Sequence, residues 1–390
     1  MPRRLKPLHL PKHLKLVRRH DYPRFAVLGA GHGGLAMAAY LAIKGYSVNL
    51  YNKTAERIEA VKARGGVELE GDVRGFGALN LVTTDIKAAL KGVDVAMVVV
   101  PACAHRSLAQ ICAPYLTSGQ IVVLNPGRTG GALEFDSTIR EYGRDRSAVV
   151  AEAQTFIFAS RTTGPAQSRI FRVKNSVPVA ALPASETKRV VETINRAFPQ
   201  FVAAENVLKT SMDNMGAIFH PALTILNAAR IESTHGDFDY YHEGITPSVA
   251  KILESMDNER VAVAASMGVR AISAREWLEA AYGVVGSTLY EAVLNNEGYK
   301  GIKAPSSLYH RYIFEDVPSS LVPIASLGKS FKVPTPTIEH IIHMASLIHE
   351  VDYWSIGRTV DRLGLTGMGV EDIQRLVMEG WRPEEGEVSY

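Results

Sequence analysis

The sequence is poor in cysteine, with only Cys103 and Cys112 among its 390 residues. That excludes a disulfide framework and suits a reducing compartment, so the chain is expected in the cytoplasm. It also lacks any run of about 18 consecutive apolar residues, the length a helix needs to cross a bilayer. Its apolar runs, such as AMVVV at 96–100 and IVVL at 121–124, are strand-sized. A basic excess is missing from most of the chain. Residues 1–24 hold eight Lys/Arg against one acid, Asp21, a local charge of +7, and since the whole chain is +3 the remainder is −4. A basic tail can contact nucleic acid or membrane. This one has no apolar signal-peptide core, and Pro2, Pro7, Pro11 and Pro23 oppose a continuous targeting helix. The extension at 1–23 is therefore read as solvated or docked on its own chain, with neither nucleic acid nor membrane as a partner.

With 46% hydrophobic and 21% charged residues, the remaining chain can bury the cores of two domains. From Phe25 strand-like and helix-like segments alternate: Phe25–Leu28, a helix near Gly34–Lys44, Ser47–Tyr51, a helix near Ala55–Arg64, Val95–Val100 and Ile121–Leu124. Alternation of this kind predicts a mostly parallel sheet, whose inner strands are apolar on both faces. Further strands are expected at Ala148–Ala151 and, as a hairpin, across Arg169–Leu182. After about residue 205 helical patterns take over. Thr246-Pro247 is an N-cap and first-turn pair opening a helix to Met267, with Gly268 as its stop. More helices are expected at Ala274–Tyr282, Ser287–Asn295, Ile338–His349 and Val370–Glu379. The predicted fold class is α/β: a Rossmann-type dinucleotide-binding domain over 24–205, then an all-helical domain over 206–390.

Gly29, Gly31 and Gly34 form G-x-G-x-x-G directly after the first strand and before an apolar helix. The first glycine permits the tight turn, the second lets the backbone approach a pyrophosphate, and the third lets helix and strand pack closely. The intervening Ala30, His32 and Gly33 belong to the same cradle, and the helix N-terminus offers free N–H groups to the phosphates. An acid ordinarily follows the second strand, where it accepts from the adenosine ribose and repels a 2′-phosphate. Here the residues are Asn52, Lys53 and Thr54, with Arg57 one turn on. NADP(H) is favoured over NAD(H), against the plainer reading of Lys53 and Arg57 as solvated charges.

The stretch Asn214 to Pro221 places His220 in an apolar helical pattern, where a lone histidine is ordinarily a hydrogen-bonded core residue. Pro221 removes an N–H and should kink the helix beside it. The spacing N-x-x-x-x-x-H-P resembles the substrate-domain signature of the octopine/nopaline dehydrogenase family. Other segments resemble that family in the same order: VLGAGHGGLAMAAYLAIKGYSVNLYN, VVVPACAH, NPGRTGGALEF, AEAQTFIFASR, GDFDYYHEGITPSVAKILESMDNER, RYIFEDVPSSLVP and VPTPTIEHIIH. Coverage runs from about residue 24 to 375. The resemblance implies reductive condensation of an amino acid or amine with a 2-oxo acid by imine reduction, and the reverse oxidation. It implies His220 and Asp316 as the catalytic pair, Arg311 as the arginine that binds a substrate carboxylate, Asn214 as a further substrate contact, and Pro101 beside the cofactor. These residue types suit the chemistry, since histidine exchanges protons near neutrality and an arginine fork grips a carboxylate with two bonds.

The AEAQTFIFASR segment departs from the family's proline-containing version, which bears on the amino acids accepted. Glu152, Gln154 and Thr155 in it are candidate substrate contacts. His235, Asp237, Asp239, His242 and Glu243 have metal-ligand types but no metal-site spacing, so no metal is expected. Cys103 reads as a small packed thiol. Two other functions compete. One is a carbonyl-reducing two-domain dehydrogenase of the ketopantoate or glycerol-3-phosphate type, which generally uses lysine where this chain has His220. The other is an NADP(H)-binding redox sensor without catalysis. The long apolar helices predict a homodimer.

Overall fold

The computed structural model describes residues 22–143 and 148–382, so almost all of the basic extension lies outside the described residues. The strands in chain order are β1 (Phe25–Leu28), β2 (Val48–Tyr51), β3 (Gly66–Gly71), β4 (Gly75–Ala78), β5 (Leu81–Thr83), β6 (Val95–Val98), β7 (Ile121–Leu124), β8 (Val149–Ala153), β9 (Phe158–Gly164), β10 (Gln167–Val173), β11 (Val177–Leu182) and β12 (Phe201–Ala203). Eight build one sheet in the order β12-β11-β8-β7-β6-β1-β2-β5, and the other four a second sheet, β4-β3-β10-β9. Strands β8 to β5 run parallel across the first sheet, while β11 pairs antiparallel with β8. From β1 the chain crosses to β2 on one side and later to β6 on the other, which opens a crevice at the carboxyl ends of β1 and β6.

The helix His32–Ile43 buries Leu35 through Leu41 without a break. A helix apolar all round must be enclosed, and this one packs between the first sheet and the second. That second sheet was not expected, and it corrects two features. The hairpin predicted across 169–182 does not form. β10 pairs instead with β9, while β11 crosses to the first sheet and pairs with β8. The burial patterns give the reason: β10 buries Ser168 and Ile170 on one face only, whereas β11 buries Val177, Val179, Ala180, Ala181 and Leu182, which requires cover on both faces. The helix expected at 55–64 is also divided, into a 3₁₀ turn Ala55–Arg57 and a helix Glu59–Arg64.

After β12 the regular elements among the described residues are all helices, apart from an isolated bridge between Asp239 and Lys303. Thr246 caps Pro247–Ser266 by accepting from the Val249 N–H, and Gly268 takes the left-handed φ of 76° that ends it. Helices Ala274–Tyr282 and Val370–Glu379 match the expected bounds; Leu289–Leu294 is shorter, and Pro336–His349 starts two residues earlier. No helix among the described residues is long and apolar enough to cross a membrane.

Candidate active site

The crevice at β1 and β6 is a cavity of about 580 Å³ lined by Gly29–Gly33, Asn52–Thr54, Arg57, Val99–Pro101, Phe156 and, from the helical side, Arg311 and Glu315. The turn has the geometry a pyrophosphate needs. Gly29 sits at φ 118°, and a Cβ on Gly34 would stand 1.8 Å from the Gly29 carbonyl oxygen, so strand and helix touch through backbone alone. Gly31 is the N-cap without a side-chain partner, and no acid occupies the first turn, leaving unpaired N–H groups and a positive helix end for phosphate. Asn52, on the cavity wall, also holds the turn's shape: its Oδ1 accepts from Ala30 N–H (3.1 Å) and its Nδ2 donates to Thr54 O (3.0 Å). His32 accepts from Thr162 N–H (3.0 Å) and ties the turn to the second sheet. Lys53 and Arg57 stand exposed at the rim, with no ion pair among the described residues.

Glu315 leads from the cavity to His220. It lines the cavity beside Arg311, whose Nε lies 2.9 Å from its Oε2. The next residue, Asp316, is fully buried and holds His220, its Oδ2 lying 2.8 Å from Nδ1. Asp316 ends a helical turn and begins the π-helical segment Val317–Leu321. Arg128 lies behind both acids, its Nη1 3.1 Å from Asp316 Oδ1 and its Nε 3.5 Å from Glu315 Oε1. Burial alone would raise the Asp316 carboxyl, but Arg128 and His220 outweigh it and hold the group below the usual carboxylate range. For Arg128 burial opposes the charge, and Asp316 and Glu315 more than restore it.

An ionised Asp316 can only accept, so Nδ1 carries the proton and Nε2 of neutral His220 is left with its lone pair. The ring stacks on Tyr312 with centroids 4.0 Å apart, and Thr224 and Tyr240 hydroxyls both donate to the His220 carbonyl, fixing the ring and its backbone. Gly216 opens this helix, Gly216–Leu226, because a Cβ there would stand 2.5 Å from Arg128 Nη1. Pro221 lies inside the helix, which continues through it. The arrangement can take a proton at Nε2 and offset the resulting cation with a buried carboxylate.

Asn214 is buried, its Nδ2 donating to Ser320 Oγ (2.9 Å) and Thr129 Oγ1 (3.3 Å). Gln154 Nε2 donates to the Asp213 carbonyl (2.9 Å) and Thr155 Oγ1 accepts from Lys174 (2.7 Å). Glu152 is not placed for a substrate: it is 1% exposed and its carboxylate accepts from Thr210, Ser211 and Ala132 N–H, joining β8 to the helix Val207–Met212. Cys103 is exposed on the cavity wall rather than packed, and the partial desolvation of its thiol by that wall, together with the Glu315 charge, raises its pKa, which disfavours a thiolate. Around the other candidate ligands, Asp237 and Asp239 face Lys303, and Glu243 faces Arg230.

Sequence reasoning missed Arg128 and Arg358. Arg358 is buried and donates to the carbonyls of Ala102, Gly127 and Thr129, to His105 Nδ1 and to Glu134, fastening the loops after β6 and β7. Arg128 stands in the quoted NPGRTGGALEF segment, where an arginine between strand and helix was the available signal. Arg358 had none.

Residues 203–349 match the family model for the NAD/NADP octopine/nopaline dehydrogenase alpha-helical domain, and 24–127 that for the NAD-dependent glycerol-3-phosphate dehydrogenase N-terminus. An opine dehydrogenase of Arthrobacter sp. (strain 1C) is 43% identical over 354 residues, 90% of this chain and 98% of the relative. The fold is shared with octopine dehydrogenase bound to NADH and L-arginine (TM-score 0.76, 20% identity, 93% of this chain and 99% of that one). It is shared also with NADP+-bound yersinopine dehydrogenase (TM-score 0.72, 16% identity, 93% and 99%).

Proposed function

This chain belongs to the octopine/nopaline dehydrogenase family, NAD(P)-dependent oxidoreductases acting on CH–NH donors, and we propose that it is an NADP(H)-preferring opine dehydrogenase that joins an amino acid to a 2-oxo acid. The observation that carries this reading is the His220–Asp316 pair, one residue from a cavity wall that also presents Arg311. In the proposed reaction Arg311 binds the carboxylate of the 2-oxo acid with its planar fork. His220 Nε2 takes a proton from the incoming ammonium group, freeing the amine to attack the carbonyl, and gives it to the oxygen; a second proton, passed the same way from the newly bonded nitrogen, lets that oxygen leave as water and the protonated imine form. Asp316 keeps the ring in the tautomer that permits this and stabilises the cation between the two transfers. The nicotinamide cofactor, when bound, supplies the hydride that reduces the imine carbon. Lys53 and Arg57 are proposed to bind its 2′-phosphate, with residues 24–205 carrying the cofactor and 206–390 the substrates. The reading places the enzyme in the cytoplasm as a homodimer.

The test is NADPH oxidation by the purified protein with a panel of amino acids against pyruvate, glyoxylate and 2-oxoglutarate. Turnover is expected only when both an amine and a 2-oxo acid are present, with kcat/KM for NADPH at least roughly tenfold above NADH, the worth of one charge-assisted phosphate contact. Oxidation with the 2-oxo acid alone would make the protein a carbonyl reductase, and equal use of both cofactors would remove the role of Lys53 and Arg57.

A further inference from the structure

An arginine that binds a carboxylate must be held in place, and Arg311 has little of its own to hold it. Its side chain is 52% exposed at the cavity wall, on a helix of only four residues, Arg311–Phe314. A long side chain with that freedom loses rotamer entropy at each binding event unless something fixes it beforehand. Glu315 lies one turn on, and its side chain is 2% exposed. Its Oε2 meets Arg311 Nε at 2.9 Å, while Oε1 accepts from Ala102 N–H (3.2 Å) and lies 3.5 Å from Arg128 Nε. Ala102 and Arg128 both belong to the Rossmann domain. Ala102 sits between Pro101 and Cys103, which line the same cavity.

An ion pair four residues apart on an exposed helix joins two solvated groups and is ordinarily worth little. Here the acid is enclosed and the arginine is not. Burying a carboxylate is unfavourable unless opposite charge and hydrogen bonds surround it, and the groups that surround this one come from residues 102, 128 and 311, three separate segments. The tertiary fold therefore fixes Glu315, and Glu315 fixes Arg311. A guanidinium has five N–H donors, one on Nε and four on the two Nη nitrogens. Glu315 takes the Nε edge. Among the described residues the Arg311 Nη nitrogens have no hydrogen bond or ion pair, and they are the end that can make two parallel bonds to a carboxylate.

We propose that Glu315 is the positioning residue for Arg311: it clamps the guanidinium by Nε and presents the Nη pair to the carboxylate of the 2-oxo acid. Its bond to Ala102 sets that pair against the cavity loop Pro101-Ala102-Cys103. The inference rests on the opine dehydrogenase reading, in which Arg311 binds that carboxylate. Glu315 acts through Arg311 and exchanges no proton in the reaction.

The experiment measures KM for pyruvate, or for glyoxylate or 2-oxoglutarate if that is the acid turned over, with amino acid and NADPH saturating. Wild type, Glu315→Gln, Arg311→Ala and the double variant are compared. Glutamine keeps the size of the side chain and an oxygen for Ala102 N–H, but sets an NH2 donor against Arg311 Nε–H. Glu315→Gln is expected to raise this KM about 10-fold, the usual worth of a charge-assisted contact, with KM for the amino acid and NADPH within about twofold. In the Arg311→Ala background the same change should alter it by less than about twofold, because the residue it acts through is gone. An equal rise in both backgrounds, or a rise in all three KM values together, makes Glu315 a purely structural acid and overturns the proposal. Arg311→Lys tests the division of edges without touching the buried acid. One ammonium cannot serve Glu315 and the substrate as two guanidinium edges do, so KM for the 2-oxo acid should approach that of Arg311→Ala. A value near wild type overturns the proposal as well. Either overturning result, obtained with turnover present, removes Glu315 alone and leaves the opine reading in place. If no amino acid and 2-oxo acid together support NADPH oxidation, the opine reading itself fails and takes the role of Glu315 with it.

Discussion

His105 and His220 are histidines with opposite surroundings. His105 is fully buried, and its Nδ1 faces a guanidinium nitrogen of Arg358 (2.9 Å); burial, Arg358 and Arg128 hold its pKa well below the ordinary range, so it stays neutral. His220 has a carboxylate at the same ring nitrogen and is only partly buried, so it can accept a charge and reach a substrate. We expect His220→Ala to lower kcat about 10²- to 10⁴-fold, the usual worth of a positioned acid–base group, while NADPH binding measured by fluorescence titration is unchanged. Near-normal turnover would return His220 to the reading of a packed helical residue. Asp316→Asn should lose a comparable or smaller factor, and it carries a pH signature. The Asp316 carboxyl lies below its ordinary 3.8 in the folded protein, so its ionised form adds stability that is fully present above that value and lost as pH falls through the lower folded one. The difference in Tm between wild type and Asp316→Asn should therefore be largest above about pH 4 and narrow below it; a difference independent of pH would show that the charge on Asp316 does not stabilise the fold.

At the scale of elements, the site depends on the loops that follow β6 and β7, whose regular structure before the next helices is no more than the 3₁₀ turn Ala102–Ala104. Arg358 supplies what a strand or helix would, closing the carbonyls of Ala102, Gly127 and Thr129 with one guanidinium, and pairing with buried Glu134. Removing it leaves an uncompensated carboxylate and several unsatisfied carbonyls. Breaking a buried pair in this way costs about 3–5 kcal/mol, a large part of a typical stability of about 5–15 kcal/mol. Arg358→Met should lower the unfolding free energy read from urea titration by that amount, and Arg358→Lys should recover little of it, since an ammonium cannot reproduce the planar fork. A loss below about 1 kcal/mol would mean that these loops are held by other contacts.

For the whole molecule, catalysis needs the sheet's carboxyl edge and the helices brought together, and the helices retain apolar surface after doing so. On Pro336–His349 the side chains of Met344, Leu347 and Ile348 are exposed, and Tyr309 and Ile356 are exposed as well. A homodimer through the helical domain would cover such a surface. Light scattering of the purified protein should give twice 42.5 kDa, and Leu347→Glu should shift it toward the monomer. A monomer in wild type at micromolar concentration would withdraw the dimer from the proposal.

What was legible from sequence alone was local. The glycine turn, the buried parallel strands, the missing acid after β2 and the Thr246-Pro247 helix start each follow from backbone geometry or side-chain pattern over a few residues, where the physics is complete within the segment. Residue spacing did not reveal the His220–Asp316 pair; resemblance named it, because nothing local tells two groups 96 residues apart that they will meet. Tertiary packing alone decided the rest. It sent β10 and β11 into different sheets according to which faces could be covered, enclosed Glu152 among hydroxyls, and exposed Cys103. It also placed Arg128 behind two carboxylates that belong to another domain. A charge buried by distant segments is stable only where those segments also bring its counter-charge, and that condition is written in the assembled fold rather than in any stretch of the chain.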